Sequence, residues 1–296
     1  MLRYRAPRGA STPGIRSHER HTALTQGCHD RGMKRDVGAH MTLTVTQPAE
    51  LIFSMAVASG ADLASERLLV SLDGAAIEAE ELVDSHGTRL HRVEVGTGEL
   101  EASYTATILG QTPEEELIPT DLIRYLRPSR YCESDSLAPT AAAEFQGLEG
   151  VDLLDAVSSW VGTRLWYVSG SSLPTDGAVR TFLARQGVCR DYAHLCVALL
   201  RARNVPARLV SVYAPGLAPM DFHAVAEAYV DGAWHVVDAT TLAPRSTMVR
   251  IATGRDASDT AFLTTQRGGV DFHSLEVTAV VDELPNDDVT ALVRLG

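Results

Sequence analysis

A cysteine, a histidine and an aspartate stand where the sequence predicts a helix start and a β-hairpin. Cys189 follows Gly187 at the beginning of a segment that is apolar around most of a helix and ends near 204–206. The free N–H groups and positive dipole end of a helix start favour a thiolate over a thiol. A thiolate beside an imidazolium can attack a carbonyl carbon, so Cys189 is a candidate nucleophile if a histidine reaches it.

His223 and Asp238 are predicted to share one face of the hairpin that follows. A two-residue Asp-Gly turn at 231–232 sets the strand pairing and makes Asp238 a diagonal neighbour of His223. The acid can then orient one imidazole nitrogen and leave the other for Cys189, which is the logic of a catalytic triad. The backbone N–H of Cys189 can serve as one oxyanion donor, and spacing alone does not identify a second.

The elements that must position these residues begin after a β-rich region. Short alternating apolar runs, with turns at 73–74 and 96–98, predict about five strands and no helix over 41–112. Such a pattern is typical of a small antiparallel β-sandwich. Nothing in this region suggests chemistry.

Helical periodicity takes over beyond a proline-containing linker. Apolar residues repeat at three and four across 153–165, and a second helix opens at Pro174. The helix of Cys189 is apolar on nearly all sides, which predicts a buried central helix, and strand-like residues 207–213 follow it. A buried helix packed on antiparallel strands makes the fold class α+β.

Composition excludes several classes of protein. The chain has 296 residues, of which 45% are hydrophobic and 22% charged, as in ordinary globular proteins. Its net charge of −12 argues against a nucleic-acid-binding surface, and no apolar run is long enough to span a membrane. Four cysteines without a C-x-x-C pair suggest neither a disulfide scaffold nor structural zinc, so a cytoplasmic protein with reduced thiols is expected.

Residues 1–40 differ from the rest of the chain. They hold eight Lys and Arg against three Asp and Glu, so the remainder carries a charge of −17. They lack hydrophobic periodicity, and no apolar stretch makes them a secretory signal. We expect a disordered leader that the fold does not need.

Four segments resemble the transglutaminase-like superfamily, and in particular its bacterial members described as cysteine proteases, which carry a β-rich N-terminal region. These segments are GVCRDYAH at 187–194, NVPAR at 204–208, DFHAVAE at 221–227 and WHVVDAT at 234–240, and YLRPSRYCESD at 125–135 resembles the stretch before the catalytic domain. The resemblance implies a papain-like fold for the catalytic domain. Together with the composition and the strand patterns, it predicts a leader at 1–40, a β-sandwich at 41–112 and a catalytic domain at 113–296.

The resemblance also implies roles for the three residues. Cys189 is the nucleophile, His223 the general base and Asp238 the orienting acid. In relatives an aromatic or polar side chain upstream of the cysteine completes the oxyanion hole, for which Trp166 and Tyr167 are candidates. The calcium sites of animal transglutaminases have no counterpart here, so we expect neither a metal nor a cofactor.

The chemistry predicted is acyl transfer at an amide through a Cys189 thioester. Water as the acceptor gives a cysteine peptidase or amidase, which we favour; an amine gives a protein-glutamine transglutaminase. A peptide-N-glycanase and a non-catalytic peptide-binding module on the same fold are further alternatives. The expected partner is a peptide or protein substrate, with no nucleic acid and no membrane, and the sequence is silent on oligomeric state.

The remaining cysteines and histidines are predicted to have other roles. Cys196, inside the helix of Cys189, and Cys132 are expected to be structural. His194 is expected to be buried and hydrogen-bonded, His235 to be exposed, and His273 to be non-catalytic.

Overall fold

The computed structural model describes residues 32–113 and 115–295. Its first region is built from strands that alternate buried and exposed side chains, as the sequence pattern predicts. These strands are β1 (Lys34–Phe53), β2 (Leu63–Leu72), β3 (Ala75–Ile77), β4 (Glu80–Val83), β5 (Arg89–Val95) and β6 (Gly98–Leu109).

Helices and a second set of strands follow. They are α1 (Asp121–Arg124), α2 (Ser134–Glu144), α3 (Gly150–Arg164), β7 (Trp166–Tyr167), α4 (Ala178–Ala184), β8 (Gln186–Gly187), α5 (Cys189–Ala202), β9 (Ala207–Tyr213), β10 (Phe222–Val230), β11 (Ala233–Val237), β12 (Val249–Gly254) and β13 (Leu263–Val281). In the described part of the chain, no helix is long and apolar enough to cross a membrane.

The first region is a seven-stranded antiparallel sheet ordered β3-β2-β6-β1-β5-β4, with β13 also paired to β1. β13 occupies one edge of β1 along its length; the other edge is shared by β6, opposite residues 34–45, and β5, opposite residues 49–53. The register shifts around Pro48, which has no N–H to donate. Gly268 on β13 lies beside this register shift with φ +88°, and a Cβ there would lie 2.4 Å from the Pro48 carbonyl oxygen.

This topology does not confirm the predicted β-sandwich. β1 and β13 stay paired on both sides of the register shift, so all seven strands are hydrogen-bonded into one sheet rather than two. The observed architecture combines helices with sheets, and the two larger sheets are antiparallel. The division at residue 113 stays a prediction, and β13 lies in the first sheet although its residues fall within 113–296.

The predicted disordered leader is wrong for its last residues. Residues 34–40 are the first part of β1, and they pair with β6 on one side and with β13 on the other. Val37 and Ala39 are buried in the core of the sheet, and Arg35 donates a hydrogen bond to the Gly110 carbonyl oxygen. Strand β1 therefore begins before residue 41, where the local alternation predicted the first strand. Residues 1–31 of the predicted leader lie outside the described residues.

The second region places α5 against a four-stranded antiparallel sheet ordered β11-β10-β9-β12. Every residue of α5 from Asp191 to Arg201 is buried, as expected of a central helix. α2, α3 and α4 cover α5, and its apolar side chains pack with Ala207, Ala226 and Ala228 of the sheet. Small residues on the strands allow the helix to approach the sheet closely.

A buried ionic cluster lies where the two regions meet. Glu227 on β10 pairs with Arg208 on β9 at 2.7 Å and with Arg250 on β12 at 2.8 Å. Arg208 also pairs with Glu115 at 2.8 Å, and its guanidinium lies 4.2 Å from the centre of the Trp234 ring. Because these charges compensate one another, they can be buried without protonation.

Candidate active site

Cys189 is the first residue of α5 and is partly buried. Asp191, one turn into the helix, accepts a hydrogen bond from the Val188 N–H at 2.8 Å and another from the Ser172 hydroxyl at 2.9 Å. A Cβ at position 187 would lie 2.6 Å from the Asp191 Cβ, which explains the glycine there. Asp191 therefore holds the helix start and the loop that contains Ser172 together.

His223 and Asp238 are in direct contact. The imidazole Nε2 lies 2.9 Å from Asp238 Oδ2, and both side chains are buried. Burial alone would lower the pKa of His223, but the charge and hydrogen bond of Asp238, together with the Cys189 thiol, outweigh it and raise the pKa to about 10. Burial alone would raise the pKa of Asp238, whereas His223 and Thr240 lower it.

The hairpin register that predicted this contact is confirmed. Residues 226–230 pair with 233–237 around the Asp-Gly turn, with Val230 opposite Ala233. Asp238 follows the last residue of β11, and its second oxygen accepts hydrogen bonds from Thr240. The contact with His223 is therefore diagonal, as the two-residue turn requires.

The geometry leaves one imidazole nitrogen for the thiol. Nε2 of His223 is occupied by Asp238; Nδ1 is buried and has no hydrogen-bond partner of ordinary geometry among the described residues. The Cys189 thiol interacts with the same ring and contributes to the raised pKa of His223. Of the two imidazole nitrogens, Nδ1 is therefore the one that Asp238 leaves available to Cys189.

Tyr167 is the residue of the two oxyanion candidates that contacts Cys189. β7 and β8 pair in parallel, with Tyr167 opposite Gly187, which brings the phenol to the helix start. The phenol lies against both the backbone N–H and the thiol of Cys189, and burial together with the thiol raises the pKa of Tyr167 to about 12. A phenol held protonated near the Cys189 N–H can donate to an oxyanion. The neighbouring Trp166 side chain is 76% exposed.

Three of the other predicted roles can be compared with the structure. Cys132 and Cys196 are fully buried, and burial raises the pKa of both thiols. His194 accepts a hydrogen bond from the Ala257 N–H at 3.1 Å and stacks on Tyr131, while burial lowers its pKa to about 3. These positions fit the structural roles expected from the sequence.

Two histidines lie away from the Cys189 thiol. His273 is on β13 in the first sheet, where it bonds to Thr44 at 2.6 Å. His235 was predicted to be exposed, and this is wrong: it is 5% exposed. The C-terminal segment crosses β11, with the Val236 N–H donating to the Val293 carbonyl oxygen, so alternation alone did not reveal what covers this strand.

Comparison with known proteins shows the family of this chain. Residues 140–239 match the family model of the transglutaminase-like superfamily. The chain is 34% identical to a protein of known structure from Cytophaga hutchinsonii that is described as a "putative cysteine protease". The match covers 86% of this chain and 92% of that one, with a TM-score of 0.77. The chain belongs to the transglutaminase-like superfamily.

Curated relatives cover less of the molecule. An uncharacterised protein of Mycobacterium tuberculosis is 41% identical over 63 residues, which are 21% of this chain and 20% of the relative. An uncharacterised protein of Mycobacterium leprae is 26% identical over 140 residues, 44% of this chain and 49% of the relative. The matches thus span from a fifth to about half of these relatives.

The transglutaminase-like domain contains all three predicted site residues, since Asp238 lies just inside its matched end. Thr240, just beyond that end, is a further residue of the site, because it donates two hydrogen bonds to Asp238. Its short polar side chain two residues after an aspartate is a local signal for such a bond. Among residues 32–113 and 115–295, no group of three or more His, Cys, Asp and Glu side chains is placed to hold a metal ion.

Proposed function

We propose that this protein is a cysteine hydrolase that cleaves an amide bond through a Cys189 thioester. The observation that carries the proposal is the 2.9 Å contact between His223 Nε2 and Asp238, which leaves the buried Nδ1 available to the Cys189 thiol at a helix start. A nucleophile, a base and an orienting acid in this order form a catalytic triad. We also propose that the catalytic domain has a papain-like fold.

The acylation half of the reaction uses the ion pair. Proton transfer from Cys189 to His223 Nδ1 gives a thiolate and an imidazolium, and the thiolate attacks the amide carbonyl carbon. The negative charge that develops on the carbonyl oxygen is stabilised by the Cys189 N–H and the Tyr167 hydroxyl. The imidazolium gives its proton to the leaving amine, the C–N bond breaks, and a thioester remains.

The second half returns the enzyme to its starting state. His223 Nδ1 takes a proton from water, and the resulting hydroxide attacks the thioester carbonyl carbon. The C–S bond breaks, the carboxylic acid leaves, and Cys189 again pairs with the imidazolium. Asp238 holds the ring in one orientation and stabilises its positive charge without taking the proton.

The experiment that tests this proposal is cysteine labelling followed by mass spectrometry. An iodoacetamide probe at pH 5.5 to 7 should modify Cys189 rapidly, whereas Cys132 and Cys196 serve as buried internal controls. Slow and equal labelling of all four cysteines of the chain would favour the non-catalytic binding module. Cys189→Ala should abolish turnover and leave the unfolding temperature nearly unchanged, while Cys196→Ala should keep turnover and lower stability modestly.

The acceptor is tested on the same protein. Peptide pools incubated without an added amine should gain new carboxyl termini or lose amide nitrogen. Incorporation of a fluorescent primary amine in place of hydrolysis would favour the transglutaminase alternative.

We also propose a cytoplasmic location. Cys132, Cys189 and Cys196 are all free thiols, and the proposed nucleophile works only when it is reduced. Fractionation of cells that express the whole chain checks this.

A further inference from the structure

A cavity of about 640 Å³ opens beside the proposed triad. Its wall includes Tyr167, which lies against Cys189, and Thr240, which hydrogen-bonds to Asp238. Cavities of about 300–1,000 Å³ are the usual size for sites that hold a small molecule or a side chain. A group seated here would lie next to the amide that Cys189 attacks.

Among the described residues that line this cavity, the only charged side chain is acidic. Trp166, Tyr167 and Tyr192 contribute aromatic rings, serine and threonine side chains contribute hydroxyls, and Asp155 on α3 contributes a carboxylate. No lysine or arginine is among the described residues that line it. Aromatic faces and a carboxylate both attract a cation and repel an anion.

The arginines nearest in sequence have other partners. Arg164 follows the lining residue Thr163, but its guanidinium lies 5.6 Å from the centre of the Trp160 ring. Arg190 follows Cys189, but it donates to the Ser172 hydroxyl and to the Leu173 carbonyl oxygen, both at 2.7 Å. Neither side chain lines the cavity, so neither neutralises Asp155 there.

A second carboxylate acts at the same end of the site. Asp221, exposed at the start of β10, adds to the negative field at Tyr167 and contributes to the raised pKa of that phenol. Asp221 does not line the cavity, but it adds a second negative charge near the Tyr167 wall.

We propose that this cavity binds the positively charged side chain of a lysine or arginine in the substrate polypeptide. The assignment deepens the proposed function and rests on it, since a specificity pocket needs a reaction beside it. The aliphatic stem of such a side chain packs on the exposed ring of Trp166, and its charged end meets the exposed carboxylate of Asp155.

Binding to Cys189→Ala tests the cavity without chemistry. The variant is titrated with Nα-acetyl-lysine methylamide, with the norleucine analogue, which has the apolar stem without the charge, and with the glutamate analogue. We expect the lysine compound to bind at least about fivefold more tightly than norleucine, and glutamate to bind most weakly. Equal binding of lysine and norleucine would overturn the proposal.

A matched pair of charge variants locates the effect. Asp155→Asn should remove most of the preference for lysine, since it removes the carboxylate of the cavity. Asp152→Asn removes the same charge one turn earlier on α3, outside the cavity lining, and should retain the preference. Equal losses in both variants would mean that net charge, and not the cavity, attracts the cation, which contradicts the proposal.

The cavity assignment and the proposed function can fail independently in these experiments. Binding of the lysine compound to Cys189→Ala together with an unreactive Cys189 in the unmodified chain would keep the cavity and remove the hydrolase. In a reactive enzyme, the bonds cleaved in peptide pools should have lysine or arginine at one fixed position. Labelling of glutamine peptides by a primary amine, without this positional preference, would assign the cavity to an acceptor amine and overturn the assignment to the substrate polypeptide.

Discussion

Thr240 donates two hydrogen bonds to the Asp238 oxygen that does not face His223. The backbone N–H lies 2.9 Å and the hydroxyl 2.7 Å from Oδ1, while Oδ2 contacts the imidazole. The carboxylate is thus held at both oxygens, which fixes its orientation without a charged partner besides the histidine. Thr240 is a positioning residue, because it acts on the proposed chemistry only through Asp238.

Asp238→Asn should reduce turnover by about 10²–10⁴, by analogy with other triad acids. The amide keeps the shape of the side chain but removes the charge that stabilises the imidazolium, and it can hold the wrong tautomer. kcat/KM measured on a cleaved peptide checks this. Full activity in the variant would contradict the role assigned to the acid.

Thr240→Val should have a smaller effect than Asp238→Asn. It removes the hydroxyl bond but keeps the backbone N–H bond, and one hydrogen bond is worth about 1 kcal/mol, or roughly fivefold in rate. Thr240→Ser restores the hydroxyl and should recover most of the loss. Failure of serine to rescue would show that the methyl packing of Thr240, and not its hydrogen bond, matters.

The Asp238 contact should make stability depend on pH between the two pKa values of His223. The folded-state pKa is raised to about 10 from the ordinary value of 6.5, so this stabilisation is fully present below 6.5 and is lost as the pH rises towards 10. The measurement compares the free energy of unfolding of Cys189→Ala with that of the double variant Cys189→Ala/Asp238→Asn. The single variant should be the more stable of the two, and the difference should be larger at pH 6 than at pH 9. A gap that stays constant or widens with pH would contradict the raised pKa.

Truncation at Met41 should destabilise the protein. It removes residues 34–40 of β1 from between β6 and β13, with buried Val37 and Ala39, and should lower the free energy of unfolding by at least about 2 kcal/mol. Chemical denaturation measures the change. The matched truncation that begins at Met33 keeps β1 whole and should be close to the full chain; equal stability of both truncated chains would show that the pairing of 34–40 contributes little.

Glu227→Gln should destabilise the fold by about 3–5 kcal/mol, because Arg208 is buried and would lose a charged partner. The low pKa of Glu227, about 2, follows from Arg208 and Arg250 overcoming its burial. Glu149→Gln, at an exposed helix cap without a side-chain hydrogen bond, is the control and should change stability by less than about 0.5 kcal/mol. Similar small effects of both substitutions would mean that Glu115 alone compensates the charge of the buried Arg208.

Local patterns in the sequence determined where the proposed triad stands. The apolar circumference after Gly187 predicted that α5 is buried with Cys189 at its start. The Asp-Gly turn and the period of two along a strand predicted the contact between His223 and Asp238. Both arguments succeed because helix periodicity and two-residue hairpins depend on residues close together in the chain.

Only the tertiary structure decided which distant elements meet. The pairing of β13 with β1 joins residues more than 200 positions apart, and no local alternation specifies a partner at that distance. The burial of His235 and the position of Tyr167, rather than Trp166, beside Cys189 depend in the same way on what packs against a residue. A side chain's neighbours along the chain predict its secondary structure, whereas its environment is set by contacts between segments that the sequence order does not reveal.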